Sequence, residues 1–323
     1  MNNKLITVTG GAGFIGKEVV KILIRKGYKV RVADEFINHR PEDLPKGTEI
    51  LKGDIGDQKI AYRALRGASY CIHLASKIGG PKYIEDNPAT ILFENNNINS
   101  AVFNACTKNK VKKIVYVSSG MVYPSTNKQK IAEKDIGNTK ITNNFYATSK
   151  IIGEAYCKAY YKEYGLSYSI ARLFNVYGNY YKTRRSPGLN HVIQELTCRV
   201  LSGNYPLEIY GSGNQIRSFT HVTDAAEGIV KCLLGKNSNN QDFNISSEEQ
   251  IKIIDLAKQI WKYSGRKEPF KVRHLKPFLV DSKNRVASAA KAKKLLGWSA
   301  NMAITDGLKN YVEWLKGNYS KIC

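Results

Sequence analysis

Tyr146 and Lys150 stand four residues apart in the run Tyr146-Ala-Thr-Ser-Lys150, which opens a helical stretch. At that spacing both side chains share one helix face. An ammonium group near a phenol favours the phenolate and draws the tyrosine pKa down from about 10. Tyr146 could then act as general base or acid towards a sugar hydroxyl, and Lys150 could also hold a ribose. The spacing alone arises easily by chance in a chain with 20 tyrosines. It gains meaning from Val115-Tyr-Val-Ser118-Ser119-Gly120 upstream. There Ser119 falls just past a strand end, where its hydroxyl could share the substrate proton with Tyr146.

A second chemical feature is Thr9-Gly10-Gly11-Ala12-Gly13-Phe14-Ile15-Gly16. It follows the apolar run Leu5 to Val8 and precedes a helical stripe of Ile15, Val19, Ile22 and Leu23. Strand, glycine turn and helix N-terminus together form a pyrophosphate cradle. Gly10, Gly13, Phe14, Ile15 and Gly16 are the residues placed against the cofactor. The spacing is GxxGxxG rather than GxGxxG; a glycine-rich turn without ligand is the plain alternative. A second apolar run, Tyr28 to Ala33, ends at Asp34, where a carboxylate meets the adenosine ribose hydroxyls and repels a 2′-phosphate. NAD is therefore expected over NADP. Arg40, in the following loop, is the counter-signal.

These features need elements to position them. Strand-like runs recur at Leu5–Val8, Val30–Ala33, Glu49–Leu51, Tyr70–Leu74, Ile114–Ser118 and Ser167–Leu173, with helical patterns between. Ile98, Ala101, Val102 and Ala105 give one such stripe; Ile152, Ala155, Tyr156 and Ala159 give another. Alternation of this kind predicts an α/β fold with a Rossmann-like, doubly wound parallel sheet and a ligand at the carboxyl ends of its strands. After Phe174 the rhythm changes. The stretch 179–190 reads as a long loop, followed by helices at Leu189–Leu201, Ala225–Leu234, Ile251–Tyr263, Ala289–Leu296 and Leu308–Leu315. Asp242–Ile245 reads as a last strand. The expected division is a nucleotide-binding lobe of residues 1–175 plus 213–245 and a smaller C-terminal substrate lobe of 176–212 plus 246–323.

The chain has 323 residues, a formal net charge of +23 and six cysteines. No apolar run approaches the ~18 residues of a membrane span, and no signal peptide is read, so a cytoplasmic location is expected. Cys71, Cys106, Cys157, Cys198, Cys232 and Cys323 lack metal-ligand or CxxC spacing and are expected as buried or free thiols. No metal is expected. The positive charge comes from lysines spread along the chain; it suits either a solvated surface or attraction of an anionic substrate. No basic helix with interleaved aromatics points to nucleic acid.

Taken together, these motifs resemble the extended short-chain dehydrogenase/reductases, specifically the nucleotide-sugar epimerases and dehydratases. The resemblance runs the whole chain. It adds Gly53-Asp54-Ile55, His73-Leu74-Ala75-Ser76, Asn97, Arg172-Leu-Phe-Asn175-Val-Tyr-Gly178, Ile209 through Gln215 to Arg217-Ser-Phe-Thr-His-Val, and Leu296-Gly-Trp298. The nearest likeness is to the GDP-mannose 3,5-epimerases and GDP-fucose synthases. It rests on Ala75-Ser-Lys-Ile-Gly79-Gly80, Phe93-Glu-Asn, Ser118-Ser-Gly-Met-Val-Tyr123-Pro124 and Asn190-His191-Val-Ile. The resemblance implies tightly held NAD, contacted by Asp54, Ile55, Leu74, Ala75, Asn97, Tyr146 and Lys150 besides the glycine turn and Asp34. It implies a Ser119/Tyr146/Lys150 catalytic triad. On the substrate side it implies Gly79, Met121, Asn175, His191, Arg217 and Arg285, the two arginines on a diphosphate. The family's acidic residue after the second arginine is Ser288 here. Lys182, Arg184 and Arg185 could close over substrate or form a solvated basic loop. His39, His73, His221 and His274 receive no site role.

Two departures narrow the chemistry. Met121 stands where the double epimerases carry a cysteine base, and a thioether cannot exchange a proton. Gly120 and Met121 replace the Asp-Glu pair of the 4,6-dehydratases. What remains suits C4 epimerisation of a GDP- or UDP-sugar through a transient 4-keto sugar. A 4-keto-sugar reductase, a 3,5-epimerase-like enzyme and a non-catalytic cofactor-binding regulatory protein are the alternatives. The family also implies a homodimer in which helices 90–108 and 146–163 of two copies form a four-helix bundle. Both helices carry apolar residues on more than one face.

Overall fold

Runs such as Lys113–Ser119, buried at six of seven positions, lack polar alternation because helices cover both faces of the strand. The structure, a computed structural model, describes residues 2–37, 39–124, 128–137, 143–179, 192–277 and 284–323. Its strands are β1 (Asn2–Thr9), β2 (Tyr28–Asp34), β3 (Glu49–Lys52), β4 (Tyr70–His73), β5 (Lys113–Ser119), β6 (Ser167–Leu173), β7 (Val176–Tyr177), β8 (Leu207–Tyr210), β9 (Ile216–Arg217), β10 (Thr220–His221), β11 (Gln241–Ile245), β12 (Ile251–Lys252), β13 (Val272–Leu275) and β14 (Asn284–Arg285). The helices are α1 (Phe14–Arg25), α2 (Gln58–Leu65), α3 (Pro81–Asp86), α4 (Pro88–Lys108), α5 (Phe145–Tyr164), α6 (Val192–Leu201), α7 (Val222–Leu234), α8 (Ile253–Ser264), α9 (Ala290–Leu296), α10 (Ile304–Lys316) and α11 (Tyr319–Ile322).

Seven strands form one parallel sheet in the order β11-β6-β5-β4-β1-β2-β3. The expected α/β, doubly wound Rossmann-like architecture is the one observed. Strand order reverses between β1 and β4, so the crevice at their carboxyl ends is where such sheets bind ligands. One core joins the sheet to α1, α7 and α9 through Val19, Leu23, Ile229 and Trp298. The opposite core joins it to α2, α4 and α5 through Leu65, Phe103, Cys106 and Cys157. A third core collects Leu196, Ile209, Leu256, Trp261, Leu308 and Leu315 from α6, β8, α8 and α10. Among the described residues no helix is long and apolar enough to cross a membrane.

The structure differs from the sequence reading in three respects. The helix expected from Ile251 starts at Ile253, because Ile251 and Lys252 pair antiparallel with β9. The two-residue strands β7, β9, β10, β12 and β14 are too short to show a period of two. The cysteines are not all thiols: Cys198 on α6 and Cys323 at the C-terminus form a disulfide, with Cα atoms 5.6 Å apart across 125 residues of sequence. Spacing along the chain carries no trace of such a pairing. Cys71, Cys106, Cys157 and Cys232 are buried and free.

Candidate cofactor and catalytic site

The glycine turn is tight for physical reasons visible in its surroundings. Gly10 has φ +68, and a Cβ there would lie 2.7 Å from the backbone nitrogen of Ala75. A Cβ on Gly16 would lie 2.4 Å from the Gly10 carbonyl oxygen. Gly13 caps α1 without a side chain, leaving Phe14, Ile15 and Gly16 in the first turn of the helix. This is a cradle that side chains would fill and a pyrophosphate fits. Leu74 and Ala75, just past β4, face it: Leu74 N donates to Thr9 O at 3.0 Å and Ala75 N to Thr9 Oγ1 at 3.4 Å.

Asp34 closes the β2 end of the crevice. Its carboxylate accepts from Ala12 N at 3.0 Å and Phe36 N at 2.9 Å, so it braces the glycine turn. Burial raises its pKa, while those two amides and Lys17 pull the other way. Ile55 is buried after β3; Asp54 is exposed and accepts from Gly56 N at 2.7 Å. Asn97 of α4 donates to Gly56 O at 3.3 Å, so it stands beside the Asp54–Ile55 turn. Gly79 is buried against the Tyr83 ring.

Ser119, Tyr146 and Lys150 converge at the carboxyl end of β5. Ser119 lies close enough to act on the Tyr146 phenol, and its Oγ accepts from Met121 N at 3.2 Å. Lys150 Nζ donates to Val117 O at 3.0 Å and lies 5.8 Å from the Tyr146 ring centroid. Burial pushes Lys150 down to about 8, against the upward pull of Glu154. The expected lowering of Tyr146 is overturned. Its phenol is buried and pushed up, and only Ser119 opposes this. The Lys150 ammonium is taken up by the Val117 carbonyl and is itself desolvated.

His73 is a packed histidine, as expected. It is 1% exposed, bonded to Thr9 Oγ1 at 2.7 Å and Asn99 Oδ1 at 3.2 Å, and held down to about 3 by burial and then Lys150.

Sequence reasoning gave no role to a buried polar network behind the triad. Arg172 Nε and Nη2 donate to the two carboxylate oxygens of Glu154 at 2.8 and 2.7 Å. Its Nη1 reaches Tyr123 Oη at 2.8 Å and Asp242 Oδ2 at 2.9 Å. Ser118 Oγ donates to Glu154 Oε1 at 2.6 Å. The network ties β5, α5, β6 and β11 together beneath Ser119 and Lys150. Its one sequence signal is Glu154, a turn beyond Lys150 on the same helix face. Asn95 was likewise given no role; buried on α4, it fixes the loop after β4 through Ser76 Oγ, Lys77 N and Lys77 O at 2.8–2.9 Å.

On the substrate side, β9 and β14 pair in parallel with Arg217 and Arg285 in register, so two residues 68 apart in sequence become neighbours. Asn175, at φ +38, donates to Ser218 O at 2.8 Å on the same side. Met121 is half-buried next to Ser119. His191, Lys182, Arg184 and Arg185, with nearly all of the 179–190 loop, lie outside the described residues. A separate cleft of about 830 Å³ beside α8, lined by Ile216, Lys258, Trp261 and Phe270 among others, holds none of the residues expected in the site.

Residues 6–246 match the NAD dependent epimerase/dehydratase family. GDP-mannose 3,5-epimerase of Arabidopsis thaliana is 27% identical, over 99% of this chain and 84% of that enzyme. The crystal structure of UDP-glucose 4-epimerase from Thermotoga maritima with UDP-glucose superposes with a TM-score of 0.85 at 28% identity, covering 98% of this chain and 99% of that one. The UDP-glucose 4-epimerase of Thermus thermophilus, solved with NAD, gives 0.83 at 26% identity, over 97% of this chain and 99% of the other. The chain belongs to the NAD dependent epimerase/dehydratase family, an extended short-chain dehydrogenase/reductase that acts on nucleotide sugars with NAD as its cofactor.

Proposed function

We propose that the chain is an NAD-dependent nucleotide-sugar epimerase that inverts C4 of a GDP- or UDP-sugar through a transient 4-keto sugar. The observation that carries this reading is the convergence of Ser119, Tyr146 and Lys150 at the β5 end, with neither thiol nor acidic pair at 120–121. NAD, when bound, supplies the acceptor for the C4 hydride. Tyr146, as a phenolate once a bound cationic nicotinamide and Lys150 offset its burial, would take the 4-hydroxyl proton, with Ser119 sharing it, and return it after the keto sugar has presented its other face. Lys150 holds the nicotinamide ribose and keeps positive charge near the phenol. Arg217 and Arg285 clamp the diphosphate while the hexose turns. The solved UDP-glucose 4-epimerases support C4.

In this reading residues 1–175 plus 213–245 form the NAD lobe, and 176–212 plus 246–323 the nucleotide-sugar lobe. We also propose a homodimer through a four-helix bundle of α4 and α5, which present Phe93, Tyr161 and Tyr164 at 70%, 44% and 54% exposure. Light scattering at micromolar concentration should give the dimer mass.

Incubating the protein with UDP-glucose, UDP-N-acetylglucosamine or GDP-mannose, without added dinucleotide, tests the function. The expected result is the C4 epimer of one of them. Turnover of a 4-keto sugar only when NADH is supplied in stoichiometric amount would instead make the chain a reductase. The likeness to GDP-mannose 3,5-epimerase favours the double epimerase as second reading, and Met121 opposes it.

A further inference from the structure

Past the carboxyl end of β2 the chain builds a small charged cluster. Lys17, in the first turn of α1, places its Nζ 3.2 Å from Asp43 Oδ2 and 3.0 Å from His39 Nδ1. Arg40 donates its backbone N–H to Asp43 Oδ2 at 3.1 Å and holds its guanidinium 3.9 Å from Asp43 Oδ1. Burial, and then Lys17, hold His39 down to about 4, so at neutral pH it is an uncharged acceptor for the lysine. Lys17 also acts on Asp34, so the cluster borders the carboxylate placed at the adenosine ribose. The charges of Lys17 and Arg40 are matched by those of Asp34 and Asp43.

A 2′-phosphate carries about −1.5 to −2 charges at pH 7 and is the natural partner of an arginine or lysine nearby. Asp34 opposes it by repulsion, which solvent and salt weaken at a partly open site. Specificity built from repulsion alone is improved when attractive groups are withheld as well. Arg40 has its side chain 81% exposed, and Asp43 is the anion that engages both it and Lys17.

We propose that Asp43 is a cofactor-specificity residue: by engaging Lys17 and Arg40 it denies NADP the cations that would bind its 2′-phosphate beside Asp34. This inference concerns the dinucleotide alone and is independent of which sugar is epimerised. The test is competitive loading of the full-length chain. Protein is brought to exchange equilibrium with equal NAD and NADP, freed of unbound nucleotide and denatured, and the released dinucleotides are separated by ion exchange. Asp43→Asn keeps an oxygen for the Arg40 amide and removes the charge. It should raise the bound NADP:NAD ratio about fivefold over wild type, the scale of one partly exposed ion pair. Lys17→Met and Arg40→Gln together added to Asp43→Asn should abolish that gain, and Asp43→Glu should keep the wild-type ratio. An unchanged ratio in Asp43→Asn, or an equal rise in Asp43→Glu, would overturn the proposal. Should Asp43→Asn retain neither dinucleotide, Lys17→Met alone decides: its ratio stays at the wild-type value if Asp43 already withholds the lysine, and a fall below wild type would show that the lysine serves NADP in the wild type and contradict the proposal.

Discussion

The crevice at the ends of β1, β2, β4 and β5 and the patch around β9 and β14 are built by different means. In the crevice the backbone does most of the work: a positive φ at Gly10, a close approach at Gly16, strand ends that deliver Asp34 and Ser119. Each piece is local, and a long parallel sheet sets the pieces against one another. In the patch the key relation is a two-residue pairing that sets Arg217 beside Arg285. It rests on the third core, with the Cys198–Cys323 link at its edge. A site made of local turns on a continuous sheet fixes its cofactor.

That contrast can be broken by substitution. Tyr146→Phe removes one oxygen from a buried ring, so fold and bound NAD should persist while turnover falls about 10²–10⁴-fold. NAD content and kcat measured on the same sample check this; loss of NAD with activity would show that the tyrosine serves the crevice rather than the chemistry. Gly10→Val adds a branched side chain at φ +68 and 2.7 Å from Ala75 N. Strain of about 1–3 kcal/mol or more should weaken NAD retention on the order of a hundredfold. Dinucleotide released per subunit reads it out.

In the patch, Arg217→Gln or Arg285→Gln should raise KM about ten- to a hundredfold, the scale of one lost charge-assisted hydrogen bond, with NAD retention untouched. A fall in NAD content there would erase the division between the two regions. The smallest effect on either site is expected from Cys323→Ser. A link that closes a loop of 125 residues at the edge of the third core should, when opened, lower the melting temperature by several degrees, on the order of 2–4 kcal/mol, and leave the crevice unchanged.

The same contrast decides what could be read in the sequence. The glycine turn, Asp34 and the Tyr146–Lys150 pair are short-range patterns on elements long enough to show their period, so their positions followed from spacing. The sheet followed from unbroken apolar runs such as Ile114–Ser118. The strand start at Ile251, the arginine register and the Cys198–Cys323 bond depend on partners 34 to 125 residues away, and local spacing is blind to them. Tyr146 went wrong for another reason. The motif gives proximity to Lys150, while the pKa is set by burial and by where the ammonium points, and both are properties of the packed site. The Glu154–Arg172–Asp242 network was missed because three polar residues on three elements carry no joint signal until the sheet brings them together.

The most direct test of the central claim is the fate of hydrogen on the sugar ring. The wild-type protein, without added dinucleotide, is incubated in deuterated water with the nucleotide sugar it turns over, and separately with GDP-mannose, and the ring positions are followed by NMR. The account predicts inversion at C4 with the original hydrogen returned and no deuterium at C3, C4 or C5. Deuterium at C3 or C5 would show proton exchange at carbon by a base other than Met121, and the C4 epimerase reading would give way to the double epimerase.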